Sequence, residues 1–230
     1  MTAQSARERD DPGVAVDDDR LPYWWYARVV RRLCPQGGRL LDYGCGTGNL
    51  LKRLSASFEA FGYDPAPFAR NRARTNVPDA VILEDWQVLP PSGLDVIVSL
   101  RGMEHAPQPH TLKQLAAKLR SGGLLLYAVP NPGGLGRRLK GARWFAHGDS
   151  AKLKLPTHAE WVMFVRKVGL EVQHVCGDGL WDAPYVGILP LGVQRALFGA
   201  PGALQELWPF SRPFLPAAVG ECLIITARKP

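Results

Sequence analysis

The feature that most constrains the fold is a regular alternation of short apolar segments with helix-compatible segments, which begins at Arg39. The apolar segments are nearly continuous hydrophobic runs, which is typical of parallel strands covered on both faces. The predicted strands are RLLDYG, EAFGYD, AVILED, LDVIVSL and LLLYAVPNP. The predicted helices between them are NLLKRLSAS, PFARNRART and TLKQLAAKLR, the last one capped by Ser121-Gly122-Gly123. This order predicts a doubly wound α/β domain.

The segments on either side extend this plan. A helix is predicted over residues 21–33, with Pro22 at its start and Cys34-Pro35 ending it. After Pro132 the sequence predicts a Gly-rich basic loop at 133–156, and then a helix at 157–168 that is capped by Thr157. A strand follows at 170–175. The chain then continues with a Pro-rich apolar insertion at 182–220, which has two short helical patches, and with a closing strand at 221–229. Insertions of this length in a compact fold usually form lids or binding loops, so the loop and the insertion are predicted to cover a substrate.

Composition limits the setting and the partners of the chain. Residues 1–20 carry three Arg and six acidic residues without hydrophobic periodicity, and they are predicted to be a disordered acidic tail before a single domain at 21–230. The four cysteines form no C-x-x-C pair, which predicts reduced thiols and no zinc site. The chain has no signal-like apolar segment and no run of 18 apolar residues, so a cytoplasmic protein without a membrane span is expected. The net charge of +7 allows nucleic acid or anionic partners, and a homodimer stays open.

The most informative segment is a glycine loop, LDYGCGTGN, at residues 41–49. It ends the first predicted strand and opens a helix, which is where open α/β sheets bind ligands. Its spacing is G-x-G-x-G. It lacks the last glycine of the dinucleotide fingerprint, because Asn49 stands there, and no G-K-[ST] of a P-loop follows. Both phosphate-binding interpretations are therefore weakened.

Two acidic residues follow the next two strands. Asp64 lies 22 residues after Asp42, where a carboxylate can accept hydrogen bonds from both hydroxyls of a ribose. Asp85 follows the third strand, where it can bind an adenine amino group, while Trp86 or Pro65 covers a face of the ring. This combination suits an adenosine without phosphates. Simple loop capping by Asp42 and Asp64 is the alternative.

Several motifs together resemble the class I S-adenosyl-L-methionine (SAM)-dependent methyltransferases, and most closely the small-molecule subgroup with the ubiquinone and menaquinone enzymes. They are L-D-Y-G-C-G-T-G, Asp64, Glu84-Asp85, L-D-V-I-V-S-L-R-G-M-E-H-A-P, L-R-S-G-G-L-L-L-Y-A-V-P-N-P and P-T-H-A-E-W. The resemblance spans roughly residues 22–175 and resumes at the last strand. It implies a Rossmann-like, mostly parallel seven-stranded sheet whose last strand is antiparallel. It also implies SAM as cofactor and S-adenosyl-L-homocysteine as product.

The resemblance also assigns cofactor roles. The glycines would line the methionine part, Asp42 would orient the loop and the methionine ammonium, Asp64 would bind the ribose and Asp85 the adenine. The full expected cofactor set is Asp42, Gly44, Cys45, Gly46, Gly48, Asp64, Pro65, Asp85, Trp86 and Leu100. One position departs from the subgroup, because Arg101 stands where an acidic residue is common. That departure weakens inference about the local substrate contacts.

Three residues are candidates for the catalytic proton transfer: His105, His158 and Glu104. Methyl transfer to oxygen or to a protonated amine can require a base, and a histidine titrates near neutral pH. His105 follows the fourth strand, and His158 opens the helix after the basic loop; His147 in that loop is a further possibility. Each histidine could instead be structural. No third ligand at useful spacing accompanies Glu104 and His105, so no metal is expected.

The substrate side rests on aromatic residues. Those expected to contact substrate are Tyr23, Trp24, Tyr26, Trp144, Trp181 and Tyr185, although some of the first helix must be core. The expected function is methyl transfer to an oxygen or nitrogen atom of a small, largely apolar molecule, with secondary metabolism as one setting. An RNA or DNA methyltransferase is an alternative, but no N-P-P-Y motif follows the fourth strand. A non-catalytic or non-methylating SAM-binding protein of the same fold is the other.

Overall fold

The computed structural model describes residues 22–147, 155–207 and 215–230. The predicted tail at 1–20 and parts of the basic loop and the insertion lie outside these ranges. The helices are α1 (Tyr23–Leu33), α2 (Leu51–Leu54), α3 (Pro67–Asn76), α4 (His110–Lys118), α5 (Leu135–Lys140), α6 (His158–Lys167) and α7 (Leu191–Leu207). The strands are β1 (Arg39–Tyr43), β2 (Glu59–Tyr63), β3 (Val81–Leu83), β4 (Leu94–Leu100), β5 (Leu119–Pro130), β6 (Glu171–Gly177) and β7 (Cys222–Arg228). Short 3₁₀ turns cover Trp86–Val88, Met103–His105 and Gly141–Arg143.

The seven strands form one sheet in the order β3-β2-β1-β4-β5-β7-β6. Strands β1 to β5 pair in parallel, and β7 pairs antiparallel with both β5 and β6. The predicted α/β fold with an antiparallel last strand is therefore confirmed. The strand order reverses between β1 and β4, and this switch point is the place where doubly wound sheets bind ligands.

Helices cover both faces of the sheet. Leu40 and Leu41 are both fully buried, yet they belong to different core clusters, because successive side chains of a strand point to opposite faces. The cluster with Leu40 includes Trp25 and Tyr26 of α1, and the cluster with Leu41 includes Trp161 of α6. Burying each such leucine contributes about 1.5–3 kcal/mol. Two apolar faces explain why the strands are continuous hydrophobic runs.

Two predicted helix boundaries were wrong. Helix α2 is a single turn, Leu51–Leu54, rather than the nine residues of NLLKRLSAS. The glycines after α4 do not cap a helix, because β5 already begins at Leu119, where it pairs with Leu94. The Gly122 amide donates to the Lys229 carbonyl at 2.8 Å, so this segment is fixed by the end of the chain rather than by α4.

The two predicted loop regions also contain more helix than expected. The basic loop includes α5, and the described part of the insertion contains the 17-residue helix α7 where two short patches were expected. Pro201 lies inside α7, which locally disfavours a helix. Tertiary contacts hold this segment: the indole of Trp25 donates to the Gly202 carbonyl at 2.8 Å, and Gln205 bridges the Gly177 carbonyl to the Leu215 amide. Over the described ranges, no helix combines the length and the apolar character needed to cross a bilayer.

Candidate active site

The glycine loop follows β1 at the switch point of the sheet. Gly44, Gly46 and Gly48 all have left-handed backbone angles, with φ of 81°, 54° and 88°. A Cβ on Gly44 would lie 3.0 Å from the Cα of Gly102, and one on Gly48 would lie 2.7 Å from a methyl carbon of Val77. Glycine is therefore required here by conformation and by space.

Asp64, at the end of β2, ties this loop to the next turn. One carboxylate oxygen accepts from the Gly46 amide at 3.0 Å, and the other accepts from the Ala66 amide at 2.9 Å. The capping role considered from the sequence is thus present. A carboxylate has about four lone-pair sites, so these bonds leave capacity for ligand hydroxyls. Pro65 beside it is exposed, and its carbonyl accepts from Arg70.

Asp42 is the acid beneath the loop, and it is 2% exposed. Burial, reinforced by the nearby charge of Asp64, raises the pKa of Asp42 from 3.8 to about 8. No described residue donates a hydrogen bond to its carboxylate. Burying a carboxyl group without a partner is unfavourable, so the site favours a ligand that brings a cation or hydrogen-bond donors.

The adenine side of the expected site is more open. Asp85 is exposed, and one of its oxygens accepts from the Gln87 amide at 2.8 Å. Trp86 is 5% exposed and packs edge-to-face on Tyr43, with ring centroids 5.7 Å apart. Most of this indole therefore belongs to the core, and Pro65 presents the more accessible face.

Two further members of the expected cofactor set are buried. Cys45 is 8% exposed and Leu100, which ends β4, is 7% exposed. Burial raises the pKa of the Cys45 thiol well above its ordinary value. That thiol is therefore neutral and serves packing within the loop.

The segment after β4 brings Glu104 and His105 to the same edge of the sheet. Gly102 contacts Gly44, so the segment borders the glycine loop. Nε2 of His105 lies 4.0 Å from a carboxylate oxygen of Glu104; the imidazole is 44% exposed, whereas the Glu104 side chain is 2% exposed. This pair can accept a proton. Arg101 has a left-handed φ of 58° and places its guanidinium 4.1 Å from the ring centroid of Phe145.

His158 reaches the same edge from α6. The Thr157 side chain and Glu160 form a capping box that fixes the start of this helix, as predicted for Thr157. Nε2 of His158 lies 2.7 Å from Oδ1 of Asn131, the residue that follows β5. Burial lowers the pKa of His158 below its ordinary value, so the imidazole is neutral at pH 7.

Three residues expected to contact substrate are instead packed inside the protein: Tyr26, Trp144 and Tyr185. The Tyr26 hydroxyl donates to Asp178 at 3.0 Å. The Trp144 indole and the Tyr185 hydroxyl donate to the two carboxylate oxygens of Glu221. These three side chains do not form the expected open aromatic face, because buried carboxylates accept hydrogen bonds from their polar atoms and hold them inside the protein.

Two of the other expected aromatic residues, Tyr23 and Trp24, border an open cavity of about 790 Å³ between α1 and α2. Trp24 is 38% exposed and packs edge-to-face on Trp181 at 5.9 Å. The side chains lining the cavity are Tyr23, Trp24, Ala27, Arg28, Arg31, Asn49, Lys52 and Arg53. The lining thus combines two aromatic residues with four cations.

Sequence analysis missed several polar residues around this edge: Asn131, Lys140, Asp178, Asp182 and Glu221. All five are buried, and Lys140 forms an ion pair with Asp182. In the sequence, each of them is a single polar residue at the end of an apolar strand or beside the insertion. That pattern does not reveal which distant residue is its partner. Within the described ranges, no group of three His, Cys, Asp or Glu side chains is arranged to hold a metal ion.

Comparison with known proteins adds independent support. A family model described as a methyltransferase domain matches residues 19–175. The 27-O-demethylrifamycin SV methyltransferase of Amycolatopsis mediterranei is 30% identical over 59% of this chain, and the match spans about half (54%) of that enzyme. The ubiquinone biosynthesis O-methyltransferase of Xanthomonas axonopodis is 29% identical over 71% of this chain and 73% of the enzyme.

Solved structures share the fold at lower identity. A SAM-dependent methyltransferase of Thermotoga maritima, described as a possible histamine N-methyltransferase, superposes with a TM-score of 0.65 at 18% identity, covering 92% of this chain and 91% of that chain. The geranyl diphosphate C-methyltransferase of Streptomyces coelicolor, solved with S-adenosyl-L-homocysteine, gives 0.61 at 12% identity, covering 95% and 86%.

The residues at the switch point fit SAM on their own chemistry. The loop leaves a surface that side chains would fill, Asp42 is a buried acid suited to an ammonium group, and Asp64 is a carboxylate of the kind that accepts from ribose hydroxyls. Together with a family model that covers more than half of the sequence, they show that the chain belongs to the methyltransferase domain family and is a SAM-dependent methyltransferase.

Proposed function

We propose that this enzyme methylates an oxygen atom of a small, largely apolar molecule, with nitrogen as the second choice of acceptor atom. When bound, SAM supplies a methyl group activated by the charge of its sulfonium. The observation that carries the proposal is the pair of partly exposed histidines, His105 and His158, at the edge of the sheet that holds the glycine loop. A hydroxyl must lose its proton as it is methylated, and a neutral imidazole can accept it.

The cofactor contacts in this proposal follow from the loop geometry. The glycine backbone holds the methionine part, Asp42 faces its ammonium, Asp64 accepts from the ribose and Asp85 accepts from the adenine amino group. In support, Asp42 lacks a hydrogen-bond donor among the described residues, and the carboxylates of Asp64 and Asp85 accept backbone amides at the ends of neighbouring strands.

The apolar character of the acceptor is inferred from the insertion. Ile188 is 92% exposed just before α7, and Val193, Leu197 and Leu204 are more than half exposed. The last three recur at intervals of four and seven, so they share one face of α7. The adjoining α1 contributes Trp24 beside the cavity. We propose that this surface covers an apolar acceptor. The alternative role of the same surface is contact between two copies of the chain.

The relatives favour the same acceptor atom. The ubiquinone enzyme is an O-methyltransferase by name, and the rifamycin enzyme is named for a 27-O-demethyl compound, although this chain spans only part of each. The name of each relative describes that enzyme, and for this chain it serves as support for the proposal.

The test begins with calorimetric titration of S-adenosyl-L-homocysteine, followed by incubation with SAM and a panel of phenols, aliphatic alcohols and amines. We expect micromolar binding of the homocysteine and mass-spectrometric detection of an O-methylated product. Asp64→Ala is the cofactor-deficient control, which should neither bind nor turn over. Binding without methylation of any hydroxyl compound would contradict the proposed acceptor atom while leaving the family assignment intact.

One observation favours a second candidate, a nucleic-acid acceptor. The groove between α1 and α2 presents Arg28, Arg31, Lys52 and Arg53, and no acidic residue is among the described residues that line it. A cationic groove suits a phosphate backbone. A gel shift with RNA and DNA at two salt concentrations separates the candidates. Tight binding that weakens steeply with salt supports nucleic acid, and its absence supports the small acceptor.

A further inference from the structure

Asn131 is a fully buried side chain at the end of β5, and every polar group it carries has a defined partner. Its backbone amide donates to the Glu221 carbonyl at 3.0 Å, and its carbonyl accepts from the Gly134 amide at 3.0 Å. Its side-chain amide group contacts the Ala217 carbonyl at 2.6 Å and the His158 imidazole at 2.7 Å. The residue is therefore held rigidly on both sides.

These contacts determine which end of the Asn131 amide faces the histidine. The carbonyl oxygen of Ala217 can only accept a hydrogen bond, so the atom 2.6 Å from it must be the NH₂ group, Nδ2. Oδ1 then faces Nε2 of His158. Because Oδ1 carries no hydrogen, Nε2 must be the donor in this bond.

The bond in turn determines the tautomer of His158. A neutral imidazole has one protonated and one unprotonated nitrogen, so a proton on Nε2 leaves the lone pair on Nδ1. Among the residues that the structure describes, none forms a hydrogen bond with Nδ1. The ring is partly exposed at the sheet edge that carries the active site, so Nδ1 can meet an acceptor there.

The surroundings of His158 keep the neutral form populated. Burial is the cause of the lowered pKa, and no charged group contributes to the shift. The acidic side chains of the flanking elements are engaged elsewhere: Glu160 accepts from the Thr157 amide and hydroxyl, and Glu221 accepts from Trp144 and Tyr185. A neutral amide partner orients the ring without stabilising the imidazolium as a carboxylate would.

We propose that His158 is the general base, acting through Nδ1, and that Asn131 is a positioning residue that holds it in the Nε2–H tautomer. This inference rests on the proposed function. The acceptor hydroxyl gives its proton to Nδ1, and an electron pair of its oxygen forms the new bond to the methyl carbon. The electron pair of the bond that breaks stays on the donor sulfur, and the imidazolium then releases its proton to water.

The inference separates the two histidine candidates. His105 is more exposed, since 44% of its side chain is accessible, and its ion-pair partner Glu104 lies 4.0 Å from Nε2. His158 has a buried partner at hydrogen-bond distance, in the way that a triad carboxylate fixes the base in other enzymes. His105 is assigned to the wall of the acceptor site.

The first test needs no substrate. Long-range ¹H–¹⁵N correlation spectra of the full-length protein identify which imidazole nitrogen is protonated. We expect His158 to be protonated on Nε2 at pH 7.5, and Asn131→Ala to give a mixture of tautomers. His174, on β6, also has a pKa lowered by burial and is the internal control, since its signals should not change. Protonation of wild-type His158 on Nδ1 would overturn the inference.

The second test uses a hydroxyl compound that the wild-type enzyme methylates. His158→Gln keeps a donor for Asn131 but has no base, so we expect kcat to fall about 100-fold or more with unchanged affinity for S-adenosyl-L-homocysteine. Asn131→Ala should lower kcat more than it raises KM. His105→Ala, in the wall of the acceptor site, should lower kcat far less than His158→Gln does. Full turnover by a folded His158→Gln variant would refute the base assignment while leaving O-methylation in place. Failure of the wild-type enzyme to methylate any hydroxyl compound would instead refute the proposed function, whichever tautomer His158 adopts.

Discussion

Asp42 couples cofactor binding to the stability of the protein, and Asp42→Asn tests this. Because the pKa of this carboxyl is raised from 3.8 to about 8, it binds its proton more tightly in the folded than in the unfolded state. Its stabilising contribution is fully present below the unfolded pKa and is lost as pH rises through the folded pKa. Between those values each pH unit lowers the free energy of unfolding by about 1.4 kcal/mol.

The magnitude follows directly. From pH 5.5 to pH 7.5 the wild-type protein should lose about 2–3 kcal/mol of unfolding free energy that the asparagine variant retains. Urea unfolding of both proteins at the two pH values, without cofactor, measures this. The comparison isolates Asp42, because other groups with shifted pKa values, such as Asp178, are common to both proteins. Parallel losses of stability in the two proteins would refute a buried, protonated Asp42.

Binding should reverse the protonation. With a pKa of about 8, roughly nine in ten Asp42 side chains carry a proton at pH 7 before binding. An ammonium group beside Asp42 favours the carboxylate, so S-adenosyl-L-homocysteine should release about one proton as it binds. Calorimetry in two buffers of different ionisation enthalpy counts that proton. Asp42→Asn should bind weakly and release none; equal release by both proteins would exclude Asp42 as the source.

Three further predictions concern the loop and the buried acids. Asp64→Ala should abolish binding of S-adenosyl-L-homocysteine, because it removes the ribose acceptor and frees the loop; unchanged affinity by calorimetry would exclude the ribose role. Gly48→Ala should lower unfolding free energy by about 1–3 kcal/mol in urea titrations, since φ is +88° and the new Cβ meets a neighbour at 2.7 Å. Tyr185→Phe should cost about 1–3 kcal/mol by leaving Glu221 without its hydroxyl donor. Thermal melts measure this loss, with Tyr63→Phe as the control variant. Equal melting temperatures of the two variants would contradict the third prediction.

The parts of the protein that local spacing determines could be predicted from sequence. The position of the glycine loop, with Asp42 before it and Asp64 one strand later, follows from strand length and from the turn that glycine permits. The continuous apolar runs indicated a sheet that is covered on both faces. These features depend on residues close together in the chain or on a strand period, and both are visible in the sequence.

The remainder depends on partners that are distant in the chain. Trp144 lies 77 positions from Glu221, and Tyr26 lies 152 positions from Asp178, so nothing local distinguishes them from aromatic residues that face a substrate. Helix α7 continues through Pro201 because Trp25 contacts the following residue. Asn131 gave no signal of its bond to His158, because an Asn-Pro pair after a strand usually indicates a turn.

The position of β7 has a consequence for folding. This strand follows the other six strands of the sheet in sequence, yet it pairs with β5 on one side and β6 on the other. The five parallel strands of the cofactor half are synthesised before it and can pair as soon as they emerge. Until residues 222–228 leave the ribosome, β5 and β6 each expose an unpaired edge, which is a site for aggregation. The cofactor half can therefore form during synthesis, whereas the sheet beside the acceptor site closes only after β7 has emerged.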